Sequence, residues 1–149
     1  MRAHFSILSI SGLLFLLVLG GIIFYLYALN LIIEATERRG LSDIRQIHKD
    51  LIEYEPEGEL SLRDFQNIVK SQSRILSARV IIIDMDSYLL ADSEKKEGDI
   101  SGQYINAELS DAKLRPYASS SLPGRSPGDF TVTIAQRKEF EGKELVISV

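Results

Sequence analysis

The first part of the chain is a long run of apolar positions that carries no charge. Phe5 to Ile33 are 29 consecutive residues without Asp, Glu, Lys or Arg, and most of them are apolar. A helix that spans the hydrocarbon core of a bilayer needs about 20 apolar residues, whereas the apolar part of a cleaved signal peptide has about 7–15. Residues 1–33 are therefore predicted to be an uncleaved transmembrane anchor surrounded by membrane lipid.

Apolar residues continue at helical spacing after the uncharged run. They are Ile33, Leu41, Ile44, Ile47 and Leu51. From Leu41 onward, steps of three and four residues place them on one face of a helix. The pattern predicts that the membrane helix continues to about Ile52, with a soft point at Gly40. The proline, glycine and acids of 53–59 are expected to end it.

The next segment has a second helical pattern with a start signal. Its stripe of mostly apolar residues consists of Leu62, Phe65, Ile68, Val69, Gln72 and Leu76. Ser61 is suited to the N-cap position, and Asp64 to the first turn, where an acid interacts favourably with the helix dipole. The sequence therefore predicts a helix that starts after Ser61 and ends near Ser77.

The rest of the chain alternates between short apolar runs and turn residues. Residues 79–83 and 88–91 predict two strands joined by a turn at 84–87, which together form a hairpin. Beyond it, we expect a loop over 92–104, a short helix over 107–114, a flexible loop over 119–128, a strand over 130–135, a charged turn over 136–143 and a strand over 145–149. This order predicts an α+β fold whose central antiparallel sheet has helices packed on one side.

Length and charge limit the function of the part that follows the anchor. Residues 34–149 are long enough for one small domain. They hold all 21 acids and 16 of the 17 basic residues, so that their net charge is −5. A general nucleic-acid binder would need a basic face, and no nucleic-acid partner is expected.

Side chains that bind metals or act as nucleophiles are sparse. The chain has no cysteine, and its two histidines, His4 and His48, are far apart in the sequence. Motif spacing therefore indicates no metal site and no cofactor. No nucleophile and base can be paired, so this chain is expected to have no enzymatic activity of its own.

The charges around the anchor leave the side of the membrane open. Arg2 precedes the anchor, and four basic residues follow it at 38, 39, 45 and 49. Counted by the positive-inside rule, these residues favour a cytoplasmic domain. The acids Glu34 and Glu37 change this count only a little, because acids contribute weakly to the rule.

One segment resembles a known family of sensor domains. Residues 79–93 read Arg-Val-Ile-Ile-Ile-Asp-Met-Asp-Ser-Tyr-Leu-Leu-Ala-Asp-Ser. This stretch resembles the strand–turn–strand of the extracytoplasmic PAS-like domains, also called PDC or Cache domains, of bacterial sensor histidine kinases and chemoreceptors. The matching residues are Asp84, Asp86, Ala91, Asp92 and Ser93. Ser87 stands where the family usually has glycine, and this departure concerns the tightness of the turn.

The resemblance implies an architecture for the whole receptor. Residues 34–149 would be an extracytoplasmic PAS-like sensor domain, incomplete at its C-terminus, on an anchor in the inner (plasma) membrane. It implies a homodimer along the membrane-proximal helix and, in some members, a small-molecule ligand. A receptor of this kind returns to the membrane and reaches a HAMP-type relay and a kinase. The chain would then be the input portion of a two-component sensor histidine kinase, and a conformational change would pass through the membrane helix.

Basic and aromatic residues are the candidates for a ligand site. Domains of the family commonly bind small carboxylates or amino acids with such side chains. By this resemblance, Arg79, Arg115 and Tyr117 are candidates for holding an anionic ligand. Arg115, beside Pro116, is equally suited to a helix end, where a cation interacts with the dipole.

Three acids are candidates for a cation site or for a turn. Asp84, Asp86 and Asp92 lie within nine residues of one another. The EF-hand pattern fails, because the later positions of a calcium loop that starts at Asp84 hold neither the required acids nor the glycine. The alternative is that Asp84 and Asp86 shape the turn by accepting hydrogen bonds from backbone amides.

Two other functional classes stay open. The first is a stand-alone envelope protein with a single anchor that binds a partner or assembles a complex. The second is an extracytoplasmic enzyme, which would require polar groups that converge in a pocket.

Overall fold

The computed structural model describes residues 2–54, 61–96, 99–100, 102–104, 106–123 and 130–149, and the side chains of residues 2–11 and 130 are outside this description. Within these ranges the elements are α1 (Arg2–Glu53), α2 (Leu62–Leu76), β1 (Ile81–Asp84), β2 (Leu89–Asp92), α3 (Ala107–Leu114), β3 (Tyr117–Pro123), β4 (Phe130–Phe140) and β5 (Lys143–Ser148). The chain divides into two compact units, Met1–Ala35 and Thr36–Val149.

The first unit consists of the apolar part of α1. Within the described helix Gly12–Glu53, the most apolar 18-residue window has a mean hydropathy of 2.4, and none of it is buried. By length and composition, this helix can cross a membrane. An apolar surface that is exposed on all sides is typical of a helix surrounded by lipid.

The second unit is built around one antiparallel sheet. Its five strands have the order β2-β1-β5-β4-β3. One row across the sheet joins Asp92, Ile81, Ser148, Ala135 and Ala118. Because side chains alternate between the faces of a strand, this register decides which residues share a face.

Helices α1 and α2 cover one face of the sheet, which we call the α1/α2 face. Its buried cluster is Ile44, Ile47, Leu51, Phe65, Val69, Val80, Ile82, Ala91, Ile134, Phe140, Leu145 and Ile147. The stripe predicted for α1 therefore forms the core of this unit. Gly40 is buried inside α1, and an added Cβ would collide with Cδ1 of Ile134. The predicted soft point is thus a close packing position in a continuous helix.

Helix α2 agrees closely with its sequence signals. Ser61 is the N-cap, and its hydroxyl and the carboxylate of Asp64 form a capping box. The hydrogen bonds from Ser61 lower the pKa of Asp64 below its ordinary value. The helix ends at Ser77, whose φ of 54° lies in the left-handed region that often terminates helices.

The hairpin of β1 and β2 forms as predicted, although Ser87 stands at the position where the resembling domains usually have glycine. Ser87 has a φ of 68°, a backbone conformation that favours glycine. Its N–H donates to the Asp84 carbonyl over 3.1 Å. Lys113 reaches the turn from α3 and donates to the Met85 carbonyl over 2.7 Å and to the Ser87 hydroxyl. These contacts hold the turn in place of the conformational freedom of glycine.

The third and fourth strands differ from the sequence prediction. Part of the flexible loop predicted over 119–128 is strand, because β3 runs to Pro123 and pairs with β4 residue by residue; residues 124–128 of that loop are outside the described residues. The prediction of a charged turn over 136–143 is also wrong, since β4 continues to Phe140. The actual turn is Glu141–Gly142, with φ values of 50° and 73°. Backbone pairing outweighs the polar composition of both segments.

The α+β class and the antiparallel sheet are confirmed. Helices α1 and α2 pack on one side of the sheet, but the expectation that all helices lie on one side is wrong for α3, which packs on the other. Helix α3 contributes Leu109 and Ala112 to a second buried cluster, together with Ile81, Ile83, Leu89, Ala135 and Val146. We call this side the α3 face. It is covered by a helix of only eight residues, so a shorter stretch of the sheet is closed there.

A candidate ligand cavity on the α3 face

A cavity of about 410 Å³ lies at the end of the α3 face where β1 begins and β5 ends. Its lining consists of Ala78, Arg79, Ile81, Tyr104, Asn106, Thr131, Val132, Thr133, Ser148 and Val149. Small-molecule sites in proteins usually measure about 300–1,000 Å³ and combine apolar walls with a few polar groups. The size and the mixed lining meet both conditions.

Strand alternation explains the hydroxyl groups of this lining. Thr131 and Thr133 lie four and two positions before Ala135 on β4, so all three residues are on the same face of the strand. Ala135 belongs to the α3-face cluster. Ser148 follows Val146 of the same cluster on β5 and is 3% exposed. The sheet therefore presents three hydroxyl-bearing residues on the face that α3 leaves uncovered.

The opposite wall is the segment that leads into α3. Asn106 is the N-cap of α3, and its Oδ1 accepts a hydrogen bond of 2.9 Å from the Glu108 N–H. Tyr104 is fixed by a hydrogen bond of 2.7 Å from its N–H to the Ser87 carbonyl. The Lys95 ammonium lies 6.0 Å from the centre of the Tyr104 ring, at a distance suited to a cation–π contact.

Arg79 lines the cavity, but its charge is already paired. Its Nε and Nη2 donate to the two carboxylate oxygens of Asp92 over 3.1 and 2.7 Å, and the Asp92 side chain is 0% exposed. The Arg79 Nε also lies 3.2 Å from the Glu94 carboxylate. The hydrogen bond to Asp92 raises the pKa of Arg79 above its ordinary value. Because a buried carboxylate needs a partner, Arg79 has a structural role.

The backbone of Asp92 is held by α2. The buried Gln66 side chain accepts from the Asp92 N–H over 3.0 Å and donates to the carbonyls of Asp92 and Lys95, each over 2.8 Å. The Asp92 carboxylate also accepts from the Glu94 N–H over 3.0 Å. One amide side chain therefore joins α2 to the loop that pairs with Arg79.

The other two predicted ligand residues lie apart from the cavity. Arg115 is exposed at the end of α3, and its N–H donates to the Asp111 carbonyl over 3.0 Å. Tyr117 is 44% exposed on the edge strand β3, whereas Arg79 precedes β1. The structure does not bring the three side chains into one site. A ligand role for Arg115 and Tyr117 stays a prediction.

The three acids do not form one cluster. The Asp84 carboxylate accepts from the Tyr88 N–H over 2.8 Å and shapes the hairpin turn. Asp86 is exposed in the same turn, and Asp92 lies at the opposite end of the hairpin. Among the residues that the structure describes, no group of three or more His, Cys, Asp or Glu side chains could hold a metal ion.

A second cavity of about 270 Å³ lies at the Asp84 end of the sheet. Its floor is formed by Leu62, Phe65, Leu90, Phe140 and Leu145, and its rim by Asp84, Glu141, Lys143 and Glu144. Phe65, Phe140 and Leu145 belong to the α1/α2 face and Leu90 packs against it, whereas Leu62 is 51% exposed. This cavity is an extension of the core, with fewer hydrogen-bonding groups in its lining than the cavity beside Arg79.

The hydroxyl groups of the cavity were missed in the sequence. The alternation of Thr131, Val132, Thr133 and Ile134 predicts a strand and does not by itself indicate that the threonines line a cavity. A helix on the other face of the sheet places the threonines beside a cavity instead of in open solvent. The short helix predicted over 107–114 was the signal in the sequence for such a helix. Nothing in the local sequence indicates that Ser148 belongs with them.

The α+β fold that the resemblance implied is also found in a solved sensor domain. The crystal structure of the E. coli DcuS sensor domain is similar to this chain with a TM-score of 0.54. The two share 11% sequence identity, over 78% of this chain and 88% of that chain. No family model and no curated protein matches the sequence. The likeness therefore shows the fold alone.

Proposed function

We propose that this chain is the signal-sensing part of a membrane-bound bacterial receptor, and that it serves as the input portion of a two-component sensor histidine kinase. The similarity to the DcuS sensor domain supports this proposal. A helix that can cross a membrane by length and composition supports the membrane location.

The observation that carries the proposal is the composition of α1. This one helix, Arg2–Glu53, contains the apolar segment near the N-terminus. It also contributes Ile44, Ile47 and Leu51, each 0% exposed, to the core of the second unit. A change in the packing of that core acts directly on the same helix. A ligand that prefers one packing would then shift the population of α1 positions.

A chain of contacts leads from the cavity towards α1. Arg79 binds Asp92, and Gln66 of α2 binds the backbone of Asp92. Further along α2, Gln72 donates to the carboxylate of Asp50 on α1. These contacts connect the cavity to the helix within the second unit, and they are the path by which we expect the signal to pass.

Two parts of the proposal rest on the resemblance. These are the extracytoplasmic side of the domain and a homodimer along the membrane-proximal part of α1. Both can be tested with engineered cysteines, because the chain has none of its own.

The side of the membrane is tested with Lys143→Cys, at the exposed first residue of β5 beside the turn that joins β4 to β5. In intact cells, a membrane-impermeant maleimide should label this variant of the full chain. Val146→Cys, at a position that is 0% exposed, is the matched control and should react only after denaturation. If Lys143→Cys reacts only with a permeant maleimide, the domain is cytoplasmic and the receptor proposal in this form is wrong.

The dimer is tested by oxidative crosslinking of single cysteines on α1. Ser42→Cys and Lys49→Cys are exposed and seven positions apart, and thus lie on the same side of the helix. We expect crosslinked dimers in membranes from at least one of them, with little crosslinking of Lys143→Cys. Equal crosslinking at all three positions would indicate random collision and contradict a specific helix interface.

A further inference from the structure

The charges around the α3-face cavity are balanced within the protein. Arg79 is the charged member of the described lining, and its guanidinium faces the carboxylates of Asp92 and Glu94. Lys95, the next cation, lies over Tyr104. An organic anion in the cavity would meet one guanidinium that two carboxylates already neutralise. Such a site has no surplus positive charge to compensate for the desolvation of an anion.

An anion could also not take Arg79 away from Asp92 without a large cost. The Asp92 side chain is 0% exposed, whereas the Arg79 side chain is 39% exposed. If Arg79 turned to a ligand, Asp92 would remain as a buried charge without its cation. Removing one partner of a buried ion pair is strongly destabilising, so the arrangement favours a ligand that leaves this pair intact.

The remaining lining is rich in uncharged hydrogen-bonding groups. Thr131, Thr133 and Ser148 each carry a hydroxyl that donates and accepts, and the Asn106 amide keeps its N–H groups while Oδ1 caps α3. Ile81 contributes an apolar wall. These groups match hydroxyl, carbonyl and amide groups on a small carbon skeleton.

From this lining we infer that the cavity beside Arg79 binds an uncharged, hydrogen-bonding organic molecule such as a polyol or an amide, and not an organic anion. This inference rests on the proposed sensing function and names the ligand class of the same domain. It replaces the anionic ligand that the sequence suggested for Arg79.

The test compares molecules of matched size that differ in charge. The full chain in detergent micelles is unfolded thermally, with tyrosine fluorescence as the signal. The probes are threitol against tartrate and succinamide against succinate, each at the same concentration and ionic strength. At ligand concentrations far above Kd, we expect an uncharged member to raise Tm by about 4 °C or more. The matching anion should leave Tm unchanged.

Substitutions in the lining locate the effect. Thr133→Val keeps the shape of the side chain and removes its hydroxyl, and Ser148→Ala removes a second of the three hydroxyls. Each should abolish the rise in Tm that the uncharged probe causes. Ser71→Ala, at an exposed position of α2, is the matched control and should keep it.

Each other outcome overturns the inference. A larger rise with tartrate or succinate would show that the site prefers anions. A rise that persists in both lining variants would place the ligand elsewhere, and no rise with any probe would count against the cavity as a ligand site. The maleimide experiment does not depend on a ligand, so failure of the receptor proposal is distinguishable from failure of this inference.

Discussion

The two faces of the sheet in the second unit are built differently. On the α1/α2 face, two long helices bury a continuous apolar cluster that includes Ile44, Ile47 and Leu51, each 0% exposed. On the α3 face, a helix of eight residues closes only part of the sheet, and a cavity lined by hydroxyl groups adjoins it. The closed face holds most of the apolar core of this unit, whereas the open face leaves a cavity beside the sheet.

This difference has a direct consequence for substitutions. On the closed face, each buried methyl group has packing partners, so its removal leaves a cavity. On the open face, the threonine side chains border space that already exists. Changes of similar size should therefore have unequal effects on the two faces.

The largest effect is expected from Ile47→Ala on the closed face. Truncation of a fully buried isoleucine lowers the free energy of unfolding by about 2–5 kcal/mol. Thr133→Val on the open face, which conserves shape, should cost less than about 1 kcal/mol. Urea unfolding of the full chain measures both. Equal losses for the two variants would mean that the faces do not differ as described.

Gln66→Leu should have the next largest effect, because it breaks the link between α2 and the Asp92 loop. The substitution leaves the Asp92 N–H and two carbonyls without their partner. A buried polar group left unpaired costs about 1–3 kcal/mol. Gln46→Leu, at an exposed position of α1, is the control and should cost far less in the same measurement.

Gly40→Ala tests the contact between α1 and β4. In an exposed helix this change would be stabilising by about 1 kcal/mol, but here the new Cβ meets Cδ1 of Ile134. We expect a loss of about 1–3 kcal/mol from overpacking. Ile134→Val removes Cδ1. In a protein that already carries Ile134→Val, adding Gly40→Ala should therefore cost much less than it does in the original chain. An equal cost in both proteins would contradict the contact.

The smallest effect concerns pH at the start of α2. Because the folded-state pKa of Asp64 is lowered by its hydrogen bonds to Ser61, its contribution to stability is present above the ordinary pKa of 3.8 and is lost as pH falls through the folded-state value. Ser61→Ala should move the pKa of Asp64 back towards 3.8, as measured by an NMR titration. An unchanged pKa would mean that the capping box does not form in solution.

The elements with strong local signals were predictable from the sequence. The stripe of α1 and the cap of α2 at Ser61 follow from periodicity and capping chemistry, and the short helix predicted over 107–114 forms with those bounds. Strand β3 was not predictable in this way, because its serine-rich sequence lacks β-branched residues and gains its structure from pairing with β4. Tertiary pairing overrides weak local preference in such segments.

The candidate site was predictable only in part. Arg79 is one of the three predicted ligand residues, and it does line the cavity. Its partner Asp92 is 13 positions away in the sequence, and the register of the hairpin brings the two side chains together. A basic residue and an acid that flank a predicted hairpin are a signal for an internal ion pair. The grouping of Thr133 with Ser148 depends on the sheet order, which local patterns do not encode.

The central claim is that Arg79 belongs to the fold and not to a ligand. A double-mutant cycle of Arg79→Met and Asp92→Asn, measured by urea unfolding without any ligand, tests it most directly. We predict that each single variant is destabilised and that the double variant loses less than their sum, with a coupling of about 1–3 kcal/mol. Additive losses within about 0.5 kcal/mol, with little cost for Arg79→Met, would show that Arg79 is free to bind an anion and would contradict the account.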